Sequence, residues 1–286
     1  MVLLVIRLLS GIGLAIRVGL GLPAGVSSTP PHTPIDRSSF VVSSPECAPN
    51  PFLGGELDIT GYPHLSATVE DVATGCRYTI GETDGFPMAS SVKAEILGAV
   101  LLRLQDDPTE SPSESLDWLL RSMITESDND AADQLLAWLG GADELQVLGE
   151  RLGLNETDNL EDGWGDDITT PTDQLRLLRA LTIGGGALSQ DSVDFARSLM
   201  MSVDPEQAWG ISNGIPDDST VMLKNGWYDL GDYDGNVVWR VNSEGLIELP
   251  TGRRYLLAVF SDGWTNQQAG VDAIEAISAT VAAAWH

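Results

Sequence analysis

The chain is predicted to fold as an α/β protein in which an antiparallel sheet from both chain ends, flanked by helices, packs against an all-helical region. Three observations lead there. Residues 65–72 alternate with period two, and across Ala-Thr-Gly a second short run at 76–80 follows at hairpin distance. From Ser90 the period changes: Val92, Ile96, Ala99, Val100 and Leu104 recur every three or four positions, and helical character dominates to about Met201. Strand character returns at 220–224, 237–242 and 255–261, before a closing helical pattern at 267–284. Strands at both ends of a helical middle are best buried in one shared sheet with helices laid against it.

In chain order, residues 1–26 read as a signal peptide or N-terminal anchor. The apolar stretch Leu8 to Ile16 lies between Arg7 and Arg17, and small residues near Ala24 and Gly25 offer a cleavage zone. Residues 27–42 read as a linker, because the clustered prolines of Ser-Ser-Thr-Pro-Pro-His-Thr-Pro cannot join a helix or a ladder. Residues 43–286 read as one folded domain with helices at 91–104, 115–124, 131–139, 142–152, 172–181 and 189–201 between the two sets of strands. Export to the cell envelope or beyond is the expected destination. An even cysteine count, Cys47 and Cys76, suits that compartment and leaves a bridge or two buried thiols both open.

Composition narrows the function. With 43% apolar and 20% charged residues the chain can bury a full core. The 42 acidic against 15 basic residues give a formal charge of −27, which repels phosphate backbones and anionic membrane surfaces. Nucleic acid is therefore not an expected partner, and the domain is not expected to insert stably into a membrane. Lys93 and Lys224 are the only lysines among the basic residues. In a chain that otherwise uses arginine, these two positions call for an amine that can lose its proton or act as a compact point charge.

Ser90-Ser91-Val92-Lys93 stands where Phe86-Pro-Met-Ala leads into the first helix. Positions i and i+3 share a helical face, so the Ser90 hydroxyl and the Lys93 amine would point the same way, at a helix N-terminus that favours developing negative charge. Ser127-Asp128-Asn129 follows after a helical stretch, and Lys224-Asn225-Gly226 lies on the first late strand, its glycine expected to let a substrate approach the backbone. S-x-x-K, S-D-N and a Lys-x-Gly strand in this order form a known signature. In these motifs the chain resembles the class A β-lactamases and their penicillin-binding relatives, over roughly residues 55–285. Ile124-Thr-Glu-Ser-Asp-Asn-Asp-Ala-Ala-Asp-Gln-Leu-Leu is similar to the family's second motif, and Asp167-Ile-Thr-Thr-Pro to the end of its Ω-loop.

The resemblance implies a β-lactamase-like fold, an active-site serine hydrolase that hydrolyses β-lactams, no cofactor and no metal; the alternatives are a penicillin-binding peptidase or esterase with slow or different deacylation, or a non-catalytic cell-envelope binding protein. It also implies a small-molecule acyl substrate such as a β-lactam or a peptidoglycan-like peptide. Ser90 would attack the carbonyl and Lys93 would act as its base or relay. Ser127 would pass a proton to the leaving nitrogen, and Asn129 would hold the acyl-amide side chain. Lys224 would attract the substrate carboxylate and tune Ser127, and the N–H groups of Ser90 and Trp227 would form the oxyanion hole. A monomer is expected.

Two departures stand out. Asn225 replaces the family's Thr or Ser between Lys and Gly; its amide could still donate to a substrate, and Arg240 on the next strand could supply a bidentate carboxylate partner instead. The Ω-loop region between Gly153 and Pro171 is short and lacks the E-x-x-L-N element whose Glu activates the deacylating water, leaving Glu156, Asp158 and Glu161 as substitutes or as ordinary solvated carboxylates. Elsewhere, Asp229-Leu-Gly-Asp-Tyr-Asp-Gly resembles a calcium loop but lacks the EF-hand Glu and reads as a hairpin turn. His32, His64 and His286 offer no triad.

Overall fold

A computed structural model describes residues 46–53, 57–82, 84–107, 114–161, 163–231 and 237–286. The leader and linker expected at 1–42 lie outside the described residues, all of which belong to one compact unit. Five strands form the main sheet: β1 Leu65–Asp71, β2 Arg77–Gly81, β5 Thr220–Gly231, β6 Val237–Glu248 and β7 Arg254–Ser261, in the order β2-β1-β7-β6-β5. Every neighbouring pair is antiparallel, and β1 pairs with β7 from Leu65↔Ser261 to Asp71↔Tyr255, joining the two chain ends as the alternation predicts.

The helices are α1 Val92–Asp106, α2 Glu114–Thr125, α3 Asn129–Leu139, α4 Ala142–Leu152, α5 Pro171–Thr182, α6 Gln190–Met200 and α7 Gln267–Trp285. Their ends follow capping chemistry. The Asp128 side chain accepts from Ala131 N at the start of α3, and Gly140 ends that helix in the left-handed conformation, φ 114°. Thr170 caps α5, with Pro171 in its first turn, and Asn266 caps α7.

Strand alternation sends the two faces of the sheet into separate cores. Met222, Leu246, Leu256, Ala258 and Phe260 pack with α1 to α6, whereas Leu223, Val241, Ile247, Leu257 and Val259 pack with α7. That is why β1 is buried along its whole length, although its alternation reads as a half-exposed strand.

Three features were not legible in the sequence. β5 and β6 are each 12 residues long, roughly double the predicted runs, because pairing continues through polar residues as far as Gly231↔Val237. The hairpin expected there is present as a strand pair, and its tip at 232–236 lies outside the described residues. A second, two-stranded sheet pairs β3 Phe86–Pro87 with β4 Ile168–Thr169, tying the segment before Ser90 to the segment before α5. Finally, Cys47 and Cys76 are bridged across 29 residues with Cα atoms 5.8 Å apart, which resolves the alternative that the spacing left open.

Candidate active site

The site is built where α1, the start of α3 and the edge strand β5 meet. Ser90 lies not in α1 itself but in a single 3₁₀ turn, Ala89–Ser91, that leads into it. Ala89 before it has φ 50°, and Ser127 at the foot of α3 has φ 58°; these are the only non-glycine residues with positive φ among the described residues. Both left-handed positions flank or form the cluster, where strain is tolerated because the surroundings over-determine the backbone. Met88 N donates to Asp167 O at 2.8 Å and Ser91 N to Met88 O at 3.1 Å, fixing the turn from both sides. Asp128 locks the α3 end: it accepts from Ala131 N at 2.9 Å and from the Ser122 hydroxyl at 3.1 Å.

Lys93 is the hub. Its Nζ lies 3.0 Å from Ser90 Oγ, 3.2 Å from Ser127 Oγ, 2.6 Å from Ser127 O and 2.6 Å from Asn129 Oδ1. Lys224 Nζ donates to Ser127 Oγ at 2.9 Å and to Asn225 O at 2.7 Å. The structure thus brings Ser90, Lys93, Ser127, Asn129 and Lys224 into one hydrogen-bonded cluster. Desolvation lowers the Lys93 pKa to about 8 against the opposing pull of Asp128 and Asp133, so a neutral amine is accessible near neutrality. Burial also pushes Lys224 well below the usual lysine range, with Lys93 adding to the shift.

Trp227 joins Ser90 and Asn129 in lining a cleft of about 250 Å³, together with Trp164, Asp166 and Tyr228. Gly226 serves a different purpose from the expected one. A Cβ there would stand 2.6 Å from Ser91 N and 2.7 Å from Met88 O, so its missing side chain admits the backbone of the nucleophile turn, not a substrate.

Asn225 is also corrected. Being next to Lys224 on a strand, it points to the opposite face, where its amide donates to Gln207 O at 2.8 Å and Trp209 O at 3.1 Å. Both amide hydrogens are spent on backbone carbonyls and none is offered to the cleft. Arg240 pairs in register with Tyr228, four residues along β5 from Lys224, or roughly 13 Å at strand rise. Its guanidinium meets Asp166 at 2.6 Å and stacks on the Tyr228 ring, whose hydroxyl also donates to Asp166. The carboxylate partner of Arg240 is therefore a residue of the protein.

The sequence reading missed Trp164 and Asp166. The Trp164 ring covers Lys93, its centroid 5.0 Å from Nζ, and its indole N–H donates to Asp133 at 2.7 Å. Among the described residues that line the cleft, Asp166 supplies the only carboxylate. Of the substitutes considered for water activation, Glu156 accepts from the Thr170 hydroxyl at 3.0 Å, and Asp158 bridges backbone to backbone with Ile168. Glu161 is exposed. The only advance signal was position: Trp164 and Asp166 stand in a Gly-Trp-Gly-Asp-Asp run just before the Ω-loop-like end.

Comparison with known proteins decides the family. The profile of the β-lactamase enzyme family matches residues 108–285, well over half of the chain. The chain belongs to the β-lactamase enzyme family. That match contains Ser127, Asn129 and Lys224, while Ser90 and Lys93 precede it and are brought to them by the fold. Among curated relatives of this family member, the protein named "Putative lipoprotein LppW" of Mycobacterium tuberculosis is 32% identical over 173 residues, covering 57% of this chain and 54% of that protein. A β-lactamase of Bacteroides uniformis is 28% identical, covering 57% of each. The chain thus spans little more than half the length of the curated relatives it matches. Among solved structures, a β-lactamase from Chitinophaga pinensis superposes with a TM-score of 0.69 at 22% identity, covering 79% of this chain and 96% of that one. PBP-A superposes with a TM-score of 0.66 at 24% identity, covering 79% and 92%. These superpositions establish the shared α/β architecture of the family.

Proposed function

We propose that this β-lactamase-family protein is an active-site serine hydrolase that forms an acyl-enzyme at Ser90 with β-lactams and releases it slowly. The observation that carries the proposal is the Lys93 amine held 3.0 Å from Ser90 Oγ with its pKa lowered to about 8. In acylation, Ser90 Oγ bonds to the lactam carbonyl carbon as its proton passes to neutral Lys93 Nζ. Ser127 Oγ lies within hydrogen-bond reach of both lysines, so it can deliver a proton to the departing ring nitrogen as the C–N bond breaks, and recover one from Lys93. Asn129 and Trp227 line the cleft beside Ser90 and would border the acyl group.

Slow release follows from what surrounds the ester. Water activation needs a free carboxylate near Ser90. Asp166 is held by Arg240 and Tyr228, and Trp164 covers the face of Lys93. A solved variant of PBP-A, of similar fold, is an acyl-enzyme complex with penicillin G, which supports a lasting adduct as the expected product. The lipoprotein name of the mycobacterial relatives supports a place in the cell envelope.

The test is intact mass of the protein mixed with penicillin G, followed over time beside Ser90→Ala. A long-lived adduct of one penicillin on wild type and none on Ser90→Ala is expected. Rapid loss of the adduct with hydrolysed product would make the protein an efficient β-lactamase. No adduct at any time would overturn the acyl-enzyme reading in favour of a binding protein.

A further inference from the structure

Glu244 is a buried acid for which the acylation scheme has no use. It lies on β6 directly opposite Lys224 on β5, and cross-strand partners share a sheet face with Cβ atoms about 5 Å apart. It is fully buried, Lys224 is 1% exposed, and neither carboxylate oxygen of Glu244 has a hydrogen-bond partner among the described residues. An acid buried without hydrogen bonds costs free energy and is kept at little gain to packing; a leucine would fill the same strand position with none of that cost. On its other side β7 offers only Ala258. The charged groups that act on the pair are Lys93, which opposes a proton on Lys224, and Glu95 of α1, which opposes ionisation of Glu244. For Lys224, desolvation and Lys93 both work against the ammonium, and Glu244 is the group that works for it.

We propose that Glu244 is a positioning residue that acts through Lys224, its buried carboxylate favouring the ammonium through the low-dielectric interior between the two strands, without a direct hydrogen bond. In doing so it sets the upper pH limit at which Lys224 can hold the Ser127 hydroxyl in its donating role. This rests on the acyl-enzyme reading for its consequence, but the proton coupling can be measured without it. With the carboxyl present, the pair keeps its last proton to higher pH than Lys224 alone, because removing that proton leaves an uncompensated buried carboxylate.

The chain carries only two lysines, so the full-length protein labelled with [ε-13C]lysine gives two side-chain signals, assigned with Lys93→Met. The Lys224 titration midpoint is expected to lie at least one pH unit higher in wild type than in the isosteric Glu244→Gln, with Glu244→Asp between them. The wild-type Lys224 signal should also show two inflections, one for each member of the pair. That second readout decides the matter even if Glu244→Gln does not fold. Equal midpoints, a reversed order, or a single inflection in wild type would overturn the proposal.

In parallel, the alkaline limb of Ser90 acylation by penicillin G should move down in Glu244→Gln by the same interval. A shifted Lys224 midpoint with no acylation in any protein would sink the acyl-enzyme reading and leave the coupling standing. Normal acylation with unmoved midpoints and an unmoved limb would do the reverse.

Discussion

Lys93 and Glu95 leave the same turn of α1 and end in opposite surroundings. Lys93 turns to the cleft, where four oxygen atoms surround its amine. Glu95 turns to α4 and the segment before α5, where Asn159 donates to it at 3.3 Å, Asp167 and Asp173 stand nearby, and its second oxygen has no partner among the described residues. Desolvation is the leading cause of both pKa shifts and moves them in opposite senses, the amine down to about 8 and the acid up to about 8. For the lysine, loss of water produces a base at working pH. For the acid it favours a neutral carboxyl that accepts from Asn159 without a cation. Burial alone therefore yields reactivity on one side of the helix and pH-dependent stability on the other.

The sharpest way to break this contrast is Lys93→Arg. A guanidinium keeps the charge on a similar stem, although it is bulkier, and stays protonated, so it cannot take the Ser90 proton. Acylation by penicillin G is expected to fall at least about 1,000-fold, some 4 kcal/mol in barrier. In wild type the acylation rate should rise toward pH 8 as Lys93 loses its proton. Stopped-flow or timed mass measurements check both, and an Arg variant within tenfold of wild type would place the base elsewhere.

On the other side of α1 the effect should appear in stability, not rate. The folded-state pKa of Glu95, about 8, lies above its unfolded value, so the native state binds one more proton between about pH 4.5 and 8. Stability contributed by that proton is present at low pH and lost as pH rises through the folded value; Asp167, raised to about 6 by burial, adds a smaller loss of the same sign. The wild-type melting temperature is thus expected to decline from pH 5 to 8, with the buried Glu244 carboxyl contributing in the same sense, and Glu95→Gln should make that decline measurably shallower. Parallel slopes in the two proteins would show that Glu95 is ionised in the native state.

How much of this was legible in the sequence follows from which forces are local. Helix spans and the two-ended sheet could be read because capping and periodicity act over a few residues. Ser90, Lys93, Ser127 and Lys224 could be read because S-x-x-K, S-D-N and a Lys-x-Gly strand stand in signature order, and the two lysines also because the chain spends lysine nowhere else. Trp164 and Asp166 could not, because a short acidic loop has no periodicity and its placement depends on β3–β4 pairing across some eighty residues. From sequence Arg240 is available to a substrate carboxylate, because nothing local shows that its partner, Asp166, comes from that same loop. Gly226 was legible as a close-approach glycine, but not what approaches it. Cys47 and Cys76 are joined only by the tertiary fold, which sequence spacing does not determine. Replacing both by serine should cost about 3–4 kcal/mol on the chain-entropy account of a loop of this size, measured by denaturant unfolding with and without reductant. A loss that leaves Ser90 labelling intact would set the bridge apart from the cleft; a variant as stable as wild type would count against it.

The smallest expected effect on chemistry belongs to a position inside the third motif. Strand alternation sends Asn225 to the α7 side of the sheet while Lys224 faces Ser127, so neighbours in sequence do different work. Asn225→Ala removes the donor to Gln207 O and Trp209 O and leaves two carbonyls short of a partner, a stability loss of about 1–3 kcal/mol. The acylation rate of the folded variant should stay within about threefold of wild type, since no cleft contact is lost. Paired melting and acylation measurements on Asn225→Ala separate the two faces. A tenfold slower acylation at unchanged stability would mean that Asn225 reaches the substrate and that the alternation does not divide the motif; lost stability with a near-normal rate would mean that it does.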